Sequence, residues 1–147
     1  MENAAPTSKR EKVNKRKKRN LPTEPFRFPE GEHAPKFGED HRIAFPASSG
    51  LKHVRVGDIV RIEGEACYSN VFLRNSPKFL VSRNLSRCMI ILKDCGFFRV
   101  HNSHIINPRD VVGYVNGKGG TIILYDGSRV PLSRHLKKSF REAYPNV

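Results

Sequence analysis

The sequence predicts a mainly β domain with one or two short helices, preceded by a basic arm. From His41 onward, short apolar runs of strand length alternate with Gly, Pro, Asn and Asp turn signals. Helix signals are confined to residues 84–92 and 135–143. Hydrophobic residues make up 37% of the 147-residue chain, below the roughly 45–50% of an average globular protein. We therefore expect part of the chain to be unfolded.

Residues 1–38 have the composition of a disordered basic arm followed by a Pro-rich linker. Between Lys9 and Arg19 there are eight Lys or Arg residues and one acid, and prolines stand at positions 6, 22, 25, 29 and 35. Such a segment cannot bury enough apolar surface to offset the entropy lost on ordering. We therefore place the folded domain at residues 39–147.

The first half of this domain has the pattern of consecutive strands. Residues 52–56 alternate polar and apolar side chains, as a half-buried strand does. Turn signals at 47–50, 57–58 and 75–77 separate the runs. The predicted strands are 42–46, 52–56, 59–63, 68–73 and 78–82.

A short helix is predicted over residues 84–92. Asn84 can cap its N-terminus, and the apolar residues Leu85, Cys88, Met89 and Leu92 share one face. Gly96 is predicted to end this helix.

The second half returns to strands joined by tight turns. Residues 116–120 form a hairpin turn, and Asp126–Gly127 is typical of a two-residue type I′ turn. A final short helix is predicted over 135–143, with Ser133 near its N-cap. The predicted strands of this half are 111–115, 121–125 and 128–132, which brings the total to roughly eight strands, and the segment 97–107 before them is strand-like.

The charge predicts a polyanionic partner. The chain carries a formal net charge of +13, and residues 41–147 alone hold 17 Lys or Arg and 7 Asp or Glu, a net of +10. DNA, RNA and an anionic membrane surface are the candidates. The longest apolar run, 89–92, falls far short of the roughly 20 residues that span a bilayer. The basic N-terminus also lacks the hydrophobic stretch of a secretory signal, so we expect no membrane partner.

The cysteines favour a reducing compartment. Cys67, Cys88 and Cys95 are odd in number and lack C-x-x-C spacing, which argues against a disulfide framework and against a structural zinc site. We expect a cytoplasmic protein with no metal and no cofactor.

Residues for catalysis are sparse. An enzyme would have to use Ser103 with His101 and His104, or Cys95 with a histidine. On a strand-like segment, however, the two histidine rings are predicted to point to opposite faces. No Gly-rich phosphate loop leads from a strand into a helix. The sequence therefore predicts no enzymatic activity and no catalytic residues.

Two segments have the character of loops that read a ligand. In residues 97–107 and 130–134, a short apolar stretch runs directly into Asn, Ser, His and Arg side chains. The apolar part can anchor such a loop in a rigid sheet while the polar tip supplies donors and acceptors. Given the positive charge, we expect such loops to meet nucleic acid.

Several spaced motifs resemble a LytTR-type DNA-binding domain of bacterial transcription regulators. The resemblance covers roughly residues 42–141, nearly all of the predicted domain. It implies an elongated, multi-stranded β-sheet domain that contacts DNA through loops rather than through a recognition helix. The chain shows no receiver domain ahead of these motifs, so an aspartyl-phosphate switch within it is not expected. The motifs, in order, are Ile59-x-x-Ile62-Glu63, Tyr68-Ser69, Leu80-Val81-Ser82-Arg83-x-Leu85, Phe97-Phe98-Arg99-Val100-His101-x-Ser103-x-x-x-Asn107 and Asp126-Gly127-x-x-Val130-Pro131-Leu132-Ser133-Arg134.

The resemblance also implies three groups of DNA-contacting residues. Asn can bind adenine and Arg can bind guanine through paired hydrogen bonds in the major groove, and Asn102 stands where the family often has a basic residue. Lys137, a turn into the last predicted helix, is expected to face a backbone phosphate. The implied contacts are Ser69 and Asn70, His101 and Asn102, and Arg134.

Some of these motif residues also have structural interpretations. Ser103 and Asn107 can hold the loop by bonding nearby backbone, and Arg99 can form an ordinary salt bridge. The apolar residues of the 97–107 segment are predicted to be core, whereas Tyr68 is ambiguous.

We interpret the chain as a sequence-specific regulator that binds double-stranded DNA, with self-association on repeated half-sites as a further expectation. The main alternative is a basic RNA-binding module, and a third is a domain that binds an acidic protein.

Overall fold

The computed structural model describes residues 35–117 and 119–143, and these form ten strands and two short α-helices. The prediction of a mainly β domain is therefore confirmed. Residues 1–34 of the predicted arm lie outside the described residues. The strands are β1 (Arg42–Ala47), β2 (Gly50–Arg55), β3 (Ile59–Glu65), β4 (Tyr68–Leu73), β5 (Phe79–Val81), β6 (Phe98–His101), β7 (His104–Ile106), β8 (Val111–Val115), β9 (Thr121–Leu124) and β10 (Arg129–Pro131); the helices are α1 (Leu85–Ile91) and α2 (Lys137–Ala143).

The strands form three antiparallel sheets. A central sheet has the order β5-β4-β3-β7-β6, a second has the order β10-β9-β8, and β1 pairs with β2 alone. The predicted segment 97–107 is two strands, β6 and β7, joined by a tight turn. Short 3-10 helices at Val56–Asp58, Pro108–Asp110 and Arg134–Leu136 connect neighbouring elements.

Around β3 and β7 the central sheet is covered on both faces, because its side chains alternate between two cores. Ile105 belongs to a cluster that α1 covers with Leu85 and Cys88, whereas the next residue, Ile106, belongs to a cluster with Tyr114 and other residues of the second sheet. Phe140 of α2 joins the second cluster and lies 5.6 Å from the Tyr114 ring, centroid to centroid. The strands on the β6–β7 side are consequently fixed from both faces.

One ion pair ties the loop after β4 to the start of β8. The Arg74 guanidinium donates to both carboxylate oxygens of Asp110 at 2.9 and 3.0 Å and to the Gly57 carbonyl at 2.9 and 3.1 Å. The Asp110 side chain is only 7% exposed. The hydrogen bonds to Asp110 raise the pKa of Arg74, so the guanidinium stays charged.

Two predicted details of the helix and turns are wrong. Helix α1 is capped by Asn84 as predicted, but it ends at Ile91 with Leu92 as its C-cap, well before Gly96. A separate turn follows, in which Asp94 has a positive φ of 68° and its carbonyl accepts hydrogen bonds from the Lys36 and Phe37 amides. At Asp126–Gly127 only the glycine has positive φ, so the turn is not type I′, which requires positive φ at both positions.

Candidate nucleic-acid interface

The β6–β7 hairpin places its polar tip at one end of the central sheet. A register shift between Arg99 and His101 brings His101 opposite His104, so that Asn102 and Ser103 form the connection. The two histidine rings therefore lie on the same face, 5.7 Å apart in an edge-to-face arrangement. The prediction that they point to opposite faces is wrong, because the chain reverses direction between them.

The Arg99 side chain holds this tip by bonding main-chain carbonyls of the tip. Its guanidinium donates to the Asn102 carbonyl at 2.7 Å, to the His101 carbonyl at 3.4 Å and to the Ser86 hydroxyl at 3.0 Å. Arg99 therefore bonds carbonyl and hydroxyl oxygens here, rather than the carboxylate that its structural interpretation as a salt-bridge residue implied. The Asn102 residue is exposed, and no described residue bonds its side-chain amide.

A hydrogen-bonded network lies beneath the tip. Ser103 Oγ is 3.0 Å from His101 Nδ1 and 2.9 Å from His104 Nδ1, and His104 Nε2 is 3.2 Å from Glu63 Oε2. Burial lowers the pKa of His104, and Glu63 opposes that effect. Glu63 is not among the contact residues predicted from the sequence, because its proximity to His104 depends on the β3–β7 register.

The predicted contact residues Ser69 and Asn70 lie on opposite faces of β4. Ser69 is fully buried and donates its hydroxyl to the Arg83 carbonyl at 2.9 Å, so it supports the loop before α1 rather than presenting a contact. Asn70 is half-buried on the other face, where its amide donates to Glu65 Oε1 at 3.0 Å. The sequence motif did not distinguish the two residues, because only the strand register shows which face of β4 is buried.

Asn70 and the histidine pair share one face of the central sheet. Asn70 pairs with Glu63, Glu63 pairs with His104, and His104 pairs with His101, so these residues form one row across β4, β3, β7 and β6. With strands about 4.8 Å apart, the row spans about 14 Å. This is close to the roughly 12 Å width of the DNA major groove.

The segment after β10 brings a third group to the same hairpin. The Ser133 amide donates to the Val100 carbonyl at 2.7 Å, which fixes the start of the following 3-10 helix against β6. An open cavity of about 340 Å³ separates the two segments and is lined by His101 and Asn102 on one side and by His135 on the other. Arg134 is exposed and Lys137 is half-buried at the start of α2. The second and third predicted groups are thus adjacent.

Of the remaining motif residues, all but Tyr68 have structural roles. Asn107 is 2% exposed, donates to the Ile59 carbonyl at 3.0 Å and accepts from the Arg109 amide at 3.2 Å, as the structural interpretation predicts. The apolar residues Phe97, Phe98, Val100, Ile105 and Ile106 are all buried core. Tyr68 is 49% exposed at the start of β4.

The described residues contain no group of three or more His, Cys, Asp or Glu side chains placed to hold a metal ion. In the same residues, no helix is long and apolar enough to cross a membrane.

Comparison with known proteins gives a consistent family signal. The family model of the LytTr DNA-binding domain matches residues 49–144, which is more than half of the chain. A solved LytTr DNA-binding domain from Bacillus cereus is similar in fold, with a TM-score of 0.58 and 18% sequence identity over 69% of this chain and 94% of that one. A search of curated proteins gives no match.

Proposed function

We propose that this chain, which belongs to the LytTr DNA-binding domain family and is a DNA-binding transcription regulator, reads base edges in the major groove. The reading elements are the β6–β7 tip and the segment that begins α2. One observation carries the proposal. Asn102 and Arg134 are exposed on adjacent segments, and their side chains have no partner among the described residues.

The chemistry of these two side chains suits base recognition. An Asn amide can donate to and accept from adenine at once, and an Arg guanidinium can donate twice to guanine. Both are presented from rigid backbone, since Arg99 clamps the tip and the Ser133 amide is bonded to β6. Rigid presentation limits the entropy lost when the protein binds.

Contacts with the phosphate backbone of DNA would supply most of the affinity. From Gly127 to Arg141 the sequence carries five Lys or Arg residues and no acid, so the start of α2 lies in a positively charged stretch. Lys137 in this stretch is suited to a phosphate contact, which positions a protein on DNA without reading sequence.

The RNA-binding alternative is less well supported. Modules that bind single-stranded RNA stack bases on aromatic side chains exposed on a sheet face. In this chain Phe98 of β6 and the preceding Phe97 are buried, and the exposed described aromatics, Phe37, Tyr68 and Tyr125, belong to different segments.

The deciding experiment is a competition assay with the full-length chain. Binding to a duplex recovered by selection from a random DNA pool should be displaced by the same duplex far better than by structured RNA or heparin at equal phosphate concentration. Equal displacement by all three would refute sequence-specific DNA binding. Preferential displacement by the RNA would favour the RNA-binding module.

A further inference from the structure

The ring of His101 is fixed by a donor that cannot move. The Ser103 main-chain amide donates to His101 Nδ1 at 3.2 Å. A backbone N–H neither rotates nor loses its proton, so Nδ1 has to offer its lone pair. Because a neutral imidazole carries one ring proton, that proton must then lie on Nε2.

The rest of the network determines where the Ser103 hydroxyl proton lies. A carboxylate can only accept, so Glu63 requires a proton on His104 Nε2, 3.2 Å away. A neutral His104 then has a bare Nδ1, which accepts the Ser103 hydroxyl proton at 2.9 Å. The hydroxyl is thereby committed to His104, so the 3.0 Å contact between Ser103 Oγ and His101 Nδ1 holds no proton. The Ser103 amide is then the donor that determines the tautomer of His101.

The free side of the His101 ring is open to a ligand. No described residue bonds His101 Nε2, and the only buried side-chain nitrogen or oxygen atoms without a partner in the described residues are Arg61 Nε and Tyr114 Oη. His101 Nε2 therefore reaches solvent. The ring lines the cavity between the β6–β7 tip and the start of α2.

We propose that His101 is a specificity-determining donor, which directs its Nε2–H to a hydrogen-bond acceptor on a base edge, and that Ser103 is the positioning residue that fixes this tautomer. The inference rests on the proposed function, because the base edge belongs to DNA. A donor at this point selects purine N7, guanine O6 or thymine O4 and disfavours the amino groups of adenine and cytosine. A phosphate oxygen has the same acceptor chemistry, so the test must separate the two sources.

The first test measures the tautomer without DNA. Two-bond ¹H–¹⁵N correlation spectra of the full-length chain, recorded at a pH where the ring is neutral, distinguish a bare from a protonated ring nitrogen. We expect a bare Nδ1 and a protonated Nε2 for His101, whose signals are identified by their loss in His101→Gln. Ser103→Ala keeps the backbone amide and should keep this tautomer. A proton on Nδ1 in either protein would overturn the assignment.

The second test measures what the donor reads. In His101→Gln the side-chain amide can approach the Nε2 position, whereas in His101→Asn it falls nearer Nδ1. On a duplex selected from a random pool, we expect Gln to retain affinity within about twofold and Asn to lose roughly two- to tenfold, as for one neutral hydrogen bond. Equal losses in the two variants would overturn the role of Nε2–H.

The source of the acceptor follows from single-base variants of the same duplex. His101→Asn should lose discrimination at one base position only. A uniform loss across all variants would identify a phosphate acceptor and overturn the specificity role. If no duplex were recovered by selection, the proposed function would fail, whereas the spectra of the free protein would still decide the tautomer.

Discussion

Replacing Arg134 by alanine separates base reading from phosphate binding at the start of α2. The side chain is exposed and has no hydrogen bond or ion pair with any described residue. Because no packing depends on it, the free energy of unfolding should change by less than about 0.5 kcal/mol. An Arg that binds guanine through two hydrogen bonds supplies about 1–3 kcal/mol of discrimination. Affinity for the preferred duplex should therefore fall roughly 5- to 150-fold, with relaxed preference at one base position.

Two matched variants each remove one positive charge at a different position. Lys137→Ala should weaken binding to all sequences alike and reduce the dependence of log affinity on log salt by about one unit. Arg42→Ala is the control, because Arg42 is exposed on β1 in the separate two-stranded sheet. It should change affinity little and leave base preference intact.

The assay is equilibrium binding to a set of single-base variants of the selected duplex at several salt concentrations. We expect Arg134→Ala to change the ranking of the variants and Lys137→Ala to leave it unchanged. If Arg134→Ala weakened every variant by the same factor, Arg134 would be a phosphate contact and its assignment as a base reader would be refuted.

Three further predictions concern stability, the arm and the spacing of sites. Asp110→Ala should lower the free energy of unfolding by about 2–3 kcal/mol in urea denaturation, since the guanidinium of Arg74, whose side chain is 27% exposed, loses its bidentate partner; a loss below about 0.5 kcal/mol would contradict this role. Deleting residues 1–34 should leave the circular dichroism and thermal unfolding of the domain intact and weaken specific and random duplexes by a similar factor; weakening of the specific duplex alone would show that the arm reads sequence. Hydroxyl-radical footprinting should protect short repeats about one helical turn apart, whereas saturation at one isolated site with one protein would argue against half-site binding.

Local chemistry was predictable from the sequence where a few neighbouring residues decide the structure. Asn84 caps α1 through its side chain, which accepts from the Arg87 amide at 3.0 Å, and the predicted apolar face of that helix is buried at Leu85, Cys88 and Leu92. Asp126–Gly127 was less predictable, because the same dipeptide suits a two-residue turn and a longer turn with glycine alone in the left-handed region. In the structure the Gly127 amide donates to the Leu124 carbonyl and the Leu124 amide to the Ser128 carbonyl, which is the longer form.

The site was only partly predictable, because its geometry depends on pairing between distant strands. Motif resemblance identified Ser69 and Asn70 together, yet strand alternation buries one and turns the other toward the histidine row. The pairing of His104 with Glu63 joins positions 41 residues apart. No local pattern in the sequence encodes that register, so the network beneath the tip could not be foreseen.

The turn at the β6–β7 tip explains why its main chain needs so much support. Neither Asn102 nor Ser103 has a positive φ, so this two-residue connection is not one of the primed turns, whose twist matches that of paired strands. The register shift at Arg99 and His101 further interrupts the ladder. Arg99 and the Ser103 amide compensate by bonding the tip to itself and to α1, through the Asn102 carbonyl, the Ser86 hydroxyl and the His101 ring. Because these bonds use the Asn102 carbonyl and not its amide side chain, the tip is held rigid while that side chain stays free to meet a ligand.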